Sequence, residues 1–264
     1  MCSTNDGETW ADGTYSITGV TANSTAFFGA KKDGSVYKSA DGSSWTSVYS
    51  PSTFGTKLNG KIVANDNAVT AFTATSTYTS TDGGSSFVET SYNPSMDAWA
   101  TCNANGVMWY IGSDNVLYRS TDGTNWTGVD GGFSFTSSVK MVFEGGKVLF
   151  FEGTQIREWS NTQGSTIVHT APYTVTGLVF ANGYFYISVG GRFYKSADLN
   201  SFEQVYIDGL YSLAKLYVSA NDGTGIGYNY VNSASALGKY SFEPVYNLPS
   251  LLEEYVSTPY IKAK

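Results

Sequence analysis

The chain alternates short runs of apolar, aromatic and β-branched residues with clusters of Gly, Asn, Asp and Ser. Between residues 176 and 207 the runs "TGLVFANG", "YFYISVGG", "RFYKSAD" and "SFEQVYI" follow one another with almost nothing between them. Short runs of this composition, bounded by residues that tolerate positive φ, are typical of β-strands joined by tight turns. The pattern therefore predicts four consecutive antiparallel strands in this part of the chain.

The segment "YKSADGSSW" (37–45) is repeated along the sequence. Its copies are "YTSTDGGSSF" (78–87), "YRSTDGTNW" (118–126), "YKSADLNSF" (194–202) and, in part, "CSTNDGETW" (2–10). Successive copies are spaced by about 40 residues, except for one gap of twice that length. A degenerate copy is therefore expected inside that gap, at "IREWSNTQGSTIVH" (156–169), and a further one at "LGKYSFEPVY" (237–246).

Four short strands in each unit of about 40 residues are typical of a β-propeller blade. The spacing predicts an all-β protein with a single propeller domain over residues 1–264. The 264 residues divide into seven units, so we expect seven four-stranded blades. The first unit begins at its third strand, which predicts a composite closing blade built from about residues 1–14 and 248–264. The alternative is six blades, with the two ends as appendages.

The repeated Ser-x-Asp-x-Gly-x-x-Trp segment resembles the Asp-box, or BNR repeat, of sialidase-like β-propellers. The resemblance covers about five of the seven units and implies the fold much more strongly than any function. It implies a structural role, in which Ser and Asp side chains accept backbone hydrogen bonds, Gly allows the turn and the aromatic residue packs between blades. The alternative is that a box binds a ligand or Ca²⁺. The predicted box residues are Asp6, Trp10, Ser39, Asp41, Trp45, Ser80, Asp82, Phe87, Ser120, Asp122, Trp126, Ser196, Asp198 and Phe202.

Composition and charge narrow the functional classes. The net charge is −7 and the 15 Lys and Arg residues are scattered, which argues against a nucleic-acid or anionic membrane surface. No apolar run approaches the roughly 20 residues that a bilayer span requires, and residues 1–13 do not resemble a signal peptide. Two cysteines (Cys2 and Cys102) and one histidine (His169) predict free thiols, no metal site and no cofactor.

Catalysis of the sialidase kind is not expected. The resemblance implies a cluster of three arginines, but the chain has only Arg119, Arg157 and Arg192, which fall on predicted third strands or beside the boxes. A different glycosidase would need two carboxylates about 5–10 Å apart. Acidic residues in the loops between units could supply such a pair, although turn formation is the favoured interpretation. These residues are Asp12, Asp97, Asp130 and Asp208.

The same loops carry aromatic residues in nearly every unit, and with three of the acidic residues they form the candidate binding face. The favoured interpretation is that the aromatic rings pack at the start of each inner strand. The alternative is an exposed aromatic surface for a sugar or a protein partner. The candidate face comprises Tyr15, Phe54, Tyr92, Asp97, Asp130, Phe133, Phe135, Tyr173, Asp208 and Tyr211.

Low charge, a surface rich in Ser, Thr, Asn and Tyr, and the absence of an export signal are consistent with a bacteriophage virion protein. The prediction is a non-enzymatic structural or binding module of a tail, fibre or capsid-attached component, contacting other virion proteins or host glycan. One alternative is a glycoside hydrolase that uses an acidic pair. Another is a bacterial envelope or assembly factor with Asp-box repeats, located in the envelope or outside the cell.

Overall fold

The structure is a computed structural model, and the residues that it describes form 24 β-strands and no helix. The described residues are 17–50, 58–73, 76–90, 98–131, 133–181, 183–207, 213–218, 224–231, 234–244 and 260–263.

The first three sheets each contain four antiparallel strands in sequence order. The first sheet is β1 (Gly19–Ala22), β2 (Phe27–Ala30), β3 (Val36–Ser39) and β4 (Thr46–Tyr49). The second is β5 (Leu58–Ala64), β6 (Val69–Thr73), β7 (Thr77–Ser80) and β8 (Val88–Thr90). The third is β9 (Ala98–Ala104), β10 (Val107–Gly112), β11 (Leu117–Ser120) and β12 (Thr127–Asp130).

Two further sheets repeat the same order. The fourth is β13 (Lys140–Glu144), β14 (Lys147–Glu152), β15 (Gln155–Ser160) and β16 (Gly164–Thr170). The fifth is β17 (Val175–Ala181), β18 (Tyr184–Val189), β19 (Arg192–Ser196) and β20 (Glu203–Ile207). The five meandering four-stranded sheets confirm the predicted β-propeller fold and its blade length.

The remaining strands continue the fifth sheet into an eight-stranded one, in the order β17-β18-β19-β20-β24-β23-β22-β21. They are β21 (Leu213–Val218), β22 (Thr224–Val231), β23 (Ala234–Pro244) and β24 (Tyr260–Ala263). The last strand, β24, pairs antiparallel with β23 and parallel with β20. Residues 1–14 and 248–259 lie outside the described part of the chain, so the composite closing blade and the choice between seven and six blades stay predictions.

The tight turns form where the sequence pattern predicts them. Asn105 and Gly106 join β9 to β10 with φ of 50° and 80°. Two successive positive φ values match the right-handed twist of the flanking strands, and Asn followed by Gly adopts them at low cost. The strand boundaries of the third blade therefore follow directly from local sequence.

Apolar residues from neighbouring sheets form the core. One cluster joins Phe28 and Val36 of the first sheet to Ile62 and Tyr78 of the second. Another joins Phe72 of the second sheet to Tyr110 and Trp126 of the third. The second strands β2, β6 and β10 are largely buried because the first sheet packs against the second and the second against the third.

The chain forms two compact units. Unit 1 contains Ala11–Phe143 and Ser160–Ser165, and it includes the first three sheets. Unit 2 contains Glu144–Trp159 and Thr166–Lys264, and it includes the fifth sheet and the strands that follow it.

Candidate functional site: the box turns and the loop end of the sheets

Each described box is a closed network of hydrogen bonds in the turn between the third and fourth strands. In the first sheet the Ser39 hydroxyl accepts a hydrogen bond from the Gly42 amide (2.8 Å) and donates to Asp41 (2.9 Å). One carboxylate oxygen of Asp41 accepts from the Ser43 and Ser44 amides, each at 2.8 Å. Gly42 has φ of 74°, which a side chain would strain. The polar atoms of the box therefore bind its own backbone.

Three other boxes repeat this network. Ser80 donates to Asp82, Ser120 to Asp122 and Ser196 to Asp198, at 2.7, 3.0 and 3.1 Å. In the fifth sheet a buried leucine, Leu199, replaces the turn glycine and keeps the positive φ, at 68°. The hydrogen-bond pattern thus survives the loss of the glycine.

These networks hold the box carboxylates in the charged form. Hydrogen bonds from the Ser44 and Ser43 amides keep the pKa of Asp41 well below its usual range, and Ser86 has the same effect on Asp82. Burial opposes the charge of Asp122, but hydrogen bonds from Asn125, Thr124 and Ser120 outweigh it and lower that pKa as well. A carboxylate held in this way is a poor general acid at neutral pH.

The aromatic residue that ends the box differs in burial between sheets. Trp126 is 5% exposed, its indole donates to the Gly123 carbonyl (2.9 Å), and its ring lies 4.9 Å from Tyr110 and 5.7 Å from Phe72. Trp45 donates to the Gly42 carbonyl (3.0 Å) in the same manner but is only partly buried. Trp126 thus closes its own turn and also contacts the neighbouring sheet.

In the first three sheets the residue before the box serine donates to a residue beyond its own sheet, a role that sequence analysis missed. Lys38 donates to the Gly83 carbonyl (2.6 Å), Thr79 to the Gly123 carbonyl (3.0 Å), and Arg119 to Asn161 (3.4 Å). Lys, Thr and Arg can each donate a hydrogen bond. An alignment of the repeats would have shown a donor at this position in each unit and could have indicated the contact. Arg119, Arg157 and Arg192 lie on the third strands of three different sheets.

The fourth sheet contains the degenerate turn that the spacing predicted. Ser160 accepts a hydrogen bond from the Gln163 amide (3.1 Å), as Ser120 does from Gly123. The chain has Thr162 where the other boxes have aspartate, and Asp130 supplies the missing carboxylate by accepting from the Ser165 amide at 2.6 Å. Asp130 also accepts from the Gly131 amide (2.8 Å). Asp130, a candidate binding residue, therefore stabilises the turn between β15 and β16.

The opposite end of the third sheet carries an aromatic pair. Phe133 and Phe135 have ring centroids 5.1 Å apart and both rings are partly buried. The Phe135 amide donates to the Asn115 side chain (2.8 Å), which ties the loop to the turn between β10 and β11. In that turn Tyr118 donates to Asp114 at 2.6 Å. The two phenyl rings therefore lie on a loop whose backbone is fixed.

The corresponding loop in unit 2 carries Tyr173, whose side chain is 64% exposed. The loop is held by the Ala171 and Val175 amides, which donate to the Thr154 and Gly153 carbonyls at 2.7 Å each. Tyr173 lies against Gly190, where even a methyl group would meet the tyrosine ring at about 3.3 Å. This aromatic side chain is thus exposed on a fixed backbone.

The other members of the candidate face and of the boxes lie outside the described residues. They are Asp6, Trp10, Tyr15, Phe54, Tyr92, Asp97, Asp208 and Tyr211. The acidic pair and the binding face as a whole therefore stay predictions.

Within the described part of the chain, neither Cys102 nor His169 belongs to a group of three or more His, Cys, Asp or Glu side chains. Burial raises the pKa of the Cys102 thiol, which keeps it protonated. His169 lies 4.4 Å from the Phe202 ring, and its partial burial lowers its pKa. Among the described residues no group of three or more His, Cys, Asp or Glu side chains could hold a metal ion. No helix within the described ranges could cross a bilayer.

A cleft of about 380 Å³ lies beside the third box. The residues that line it include Arg119, Thr121, Asp122, Asn125 and Thr127. The Arg119 guanidinium lies over the Trp109 ring, with its central carbon 5.9 Å from the ring centroid. The other described boxes have Lys38, Thr79 or Lys195 at the position of Arg119. Among the described boxes, only the third therefore has an arginine beside its cleft.

Comparison with known proteins supports the fold alone. No protein-family model matches the sequence, and no curated protein matches it. A structure of YCF48 bound to D1 peptide is 13% identical, with a TM-score of 0.61 over 88% of this chain and 79% of that one. YCF48 from Cyanidioschyzon merolae is 15% identical, with a TM-score of 0.55 over 79% and 78% of the two chains.

A bacterial extracellular domain is also similar in fold. The extracellular domain of the putative one-component system BT4673 from B. thetaiotaomicron is 12% identical, with a TM-score of 0.59 over 86% of this chain and 33% of that one. All these identities are below the level at which function transfers, so the comparisons define a β-propeller and no more.

Proposed function

We propose that this protein is a non-enzymatic β-propeller that binds a protein partner through the loops at the end of the sheets opposite the boxes. The observation that carries the proposal is the Phe133–Phe135 pair on a loop fixed by Asn115. Aromatic side chains on a rigid backbone offer contact area at low entropic cost, which is what interface hot spots require. The YCF48 structure with a bound D1 peptide supports the choice of a polypeptide as partner.

The absence of an enzymatic role is part of this proposal. The described box carboxylates are used within their own turns, and Asp130 accepts hydrogen bonds from two backbone amides. A glycosidase needs one carboxyl group that can be protonated near neutral pH. The strongly lowered pKa values of Asp41, Asp82 and Asp122 do not fit that role.

The proposed setting is a bacteriophage particle, as a tail, fibre or capsid-attached component. Support comes from the sequence: 14% charged residues, 20 tyrosines and a net charge of −7. Such a surface suits a protein that assembles with others and is exposed to solvent on a particle. A bacterial envelope or assembly factor is the alternative setting.

Host glycan is a second candidate ligand, and the cleft beside the third box favours it. Hydroxyl, amide and guanidinium groups in a space of about 380 Å³ can pair with the hydroxyls of one or two sugar rings. A glycan array would test this, with Asn125→Ser as the variant. Serine occupies that box position in the first sheet, at Ser44, so the variant should fold.

Cross-linking on purified particles tests the main proposal. The expected result is co-migration with particles in a density gradient and cross-links between a neighbouring protein and residues 133–139. The double variant Phe133→Ala and Phe135→Ala should weaken the association at least about tenfold. A Tyr184→Ala variant, which removes an exposed aromatic residue from a turn at the box end, is the control.

Two results would contradict the proposal. One is turnover of a fluorogenic glycoside that Asp130→Asn abolishes. The other is partner binding that the double phenylalanine variant leaves unchanged.

A further inference from the structure

The outer strand of the fourth sheet, β16, differs from the other outer strands. It has seven residues, "GSTIVHT", with no Lys, Arg, Asp or Glu among them. The outer strands β4, β8 and β12 have three or four residues, and β8 and β12 each contain an acidic residue. Proteins usually protect an exposed edge by shortening it or by placing charges on it. β16 is longer and has no charged residue of its own, and the Asp130 carboxylate, which accepts from the Ser165 amide (2.6 Å), covers only its beginning.

The described part of the structure places no strand outside β16, since the sheet order ends there. Ile167, at the middle of the strand, is 47% exposed. His169, two residues further, lies 4.4 Å from the Phe202 ring, and its lowered pKa keeps it neutral at pH 7. From Thr166 to Thr170 the edge therefore combines a strand without charged residues and an exposed β-branched side chain.

The fifth sheet shows that an outer edge in this protein accepts an added strand. β24 pairs with the outer strand β20 in parallel, with Tyr206 opposite Tyr260 and Ile207 opposite Ile261. In the fifth sheet the added strand is part of the chain itself. In the fourth sheet the same kind of edge is longer, and the described residues provide no strand for it.

We propose that the outer edge of β16 docks an extended, uncharged segment of a protein partner, which adds to the fourth sheet as a fifth strand. Backbone hydrogen bonds provide the affinity, and a β-branched or aromatic residue of the partner packs beside Ile167. This inference rests on the proposed role in binding proteins but uses a different surface from the Phe133–Phe135 loop.

The test is a titration of the full chain, labelled with ¹⁵N, with the peptide acetyl-KTVTITVTK-amide. The expected result is slowed amide exchange in Thr166–Thr170 and no comparable change in β4, β8 or β12. The control peptide acetyl-KTVTPTVTK-amide has the same charge, but its proline removes a backbone donor and breaks the strand. It should not slow exchange in β16.

Two matched variants locate the contact. Ile167→Lys places a charge on the edge and should weaken peptide binding at least about tenfold. Val88→Lys makes the same change at an exposed residue of the short outer strand β8 and should bind the peptide like the wild type. Thermal unfolding checks that both variants are folded, which is expected because both side chains are exposed.

Three outcomes would overturn the inference. The first is unchanged exchange of Thr166–Thr170 at millimolar peptide. The second is equal peptide binding by Ile167→Lys and the wild type. The third is a wild-type dimer in sedimentation velocity that Ile167→Lys converts to a monomer, because the edge would then bind a second copy. If Ile167→Lys keeps the particle association that the double phenylalanine variant loses, this inference fails and the proposed function stands.

Discussion

The third box and the fourth turn reach the same geometry in different ways. In the third box the serine, the carboxylate and the aromatic residue all lie within Ser120–Trp126, and Asp122 accepts from the Asn125 amide at 2.8 Å. In the fourth turn the equivalent amide is that of Ser165, and its acceptor is Asp130, 35 residues earlier in the chain. In both turns a carboxylate accepts from the equivalent backbone amide, although the carboxylate comes from different segments of the chain.

The two turns also differ in what their last residue does. Trp126 fills a buried space beside Phe72 and Tyr110, whereas the fourth turn has Thr166 at the aligned position. The third box therefore closes a hairpin and joins two sheets, while the fourth turn mainly closes a hairpin.

The largest effect is expected from Trp126→Ala. Removing a buried tryptophan from the core leaves a cavity, and the free energy of unfolding should fall by about 3–5 kcal/mol. Thr166→Ala at the aligned position should cost less than about 1 kcal/mol. Urea denaturation followed by fluorescence measures both, and equal losses would remove the distinction between the two turns.

Asp122→Ala should lower the free energy of unfolding by about 2–3 kcal/mol, because four backbone or side-chain donors lose a charged acceptor. Chemical denaturation checks the value against Asp114→Ala, which removes an acidic residue from the opposite end of the same sheet. A loss no larger than in that control would mean that the box contributes little to stability.

The difference between the wild type and Asp122→Ala should depend on pH. The pKa of Asp122 is lowered in the folded state, so its stabilising effect is complete above the unfolded pKa of about 4 and is lost as pH falls towards the folded value. The two stability curves should therefore converge between about pH 4 and pH 2. Curves that remain parallel over this range would show that the charge of Asp122 is unimportant.

The smallest effect is expected from Asp130→Ala, at about 1 kcal/mol, because only one of its two acceptor contacts holds the fourth turn. Adding Thr162→Asp would restore a carboxylate at the box position and should recover most of that loss. A double-mutant cycle measures the coupling. Independent, additive effects of the two substitutions would show that Asp130 does not replace the missing box aspartate.

The sequence by itself determined the strands, the turns and the repeat. Alternating apolar runs and Asn-Gly or Asp-Gly turns act over a few residues, so they predict β9 to β12 and the box of Ser120–Trp126 without reference to the rest of the chain. The degenerate turn near residue 160 was also predictable, because the repeat spacing marks its place even where the aspartate is absent.

Only the tertiary structure decided which residues from different units meet. Asp130 looked like a loop residue open to catalysis or binding, and its contact with the Ser165 amide depends on how two segments 35 residues apart are folded together. The same holds for Lys38 and Gly83, and for the outer edge of β16, beside which the described residues place no strand. Periodicity records interactions between near neighbours in the chain, whereas contacts between sheets depend on their packing, which no local pattern encodes.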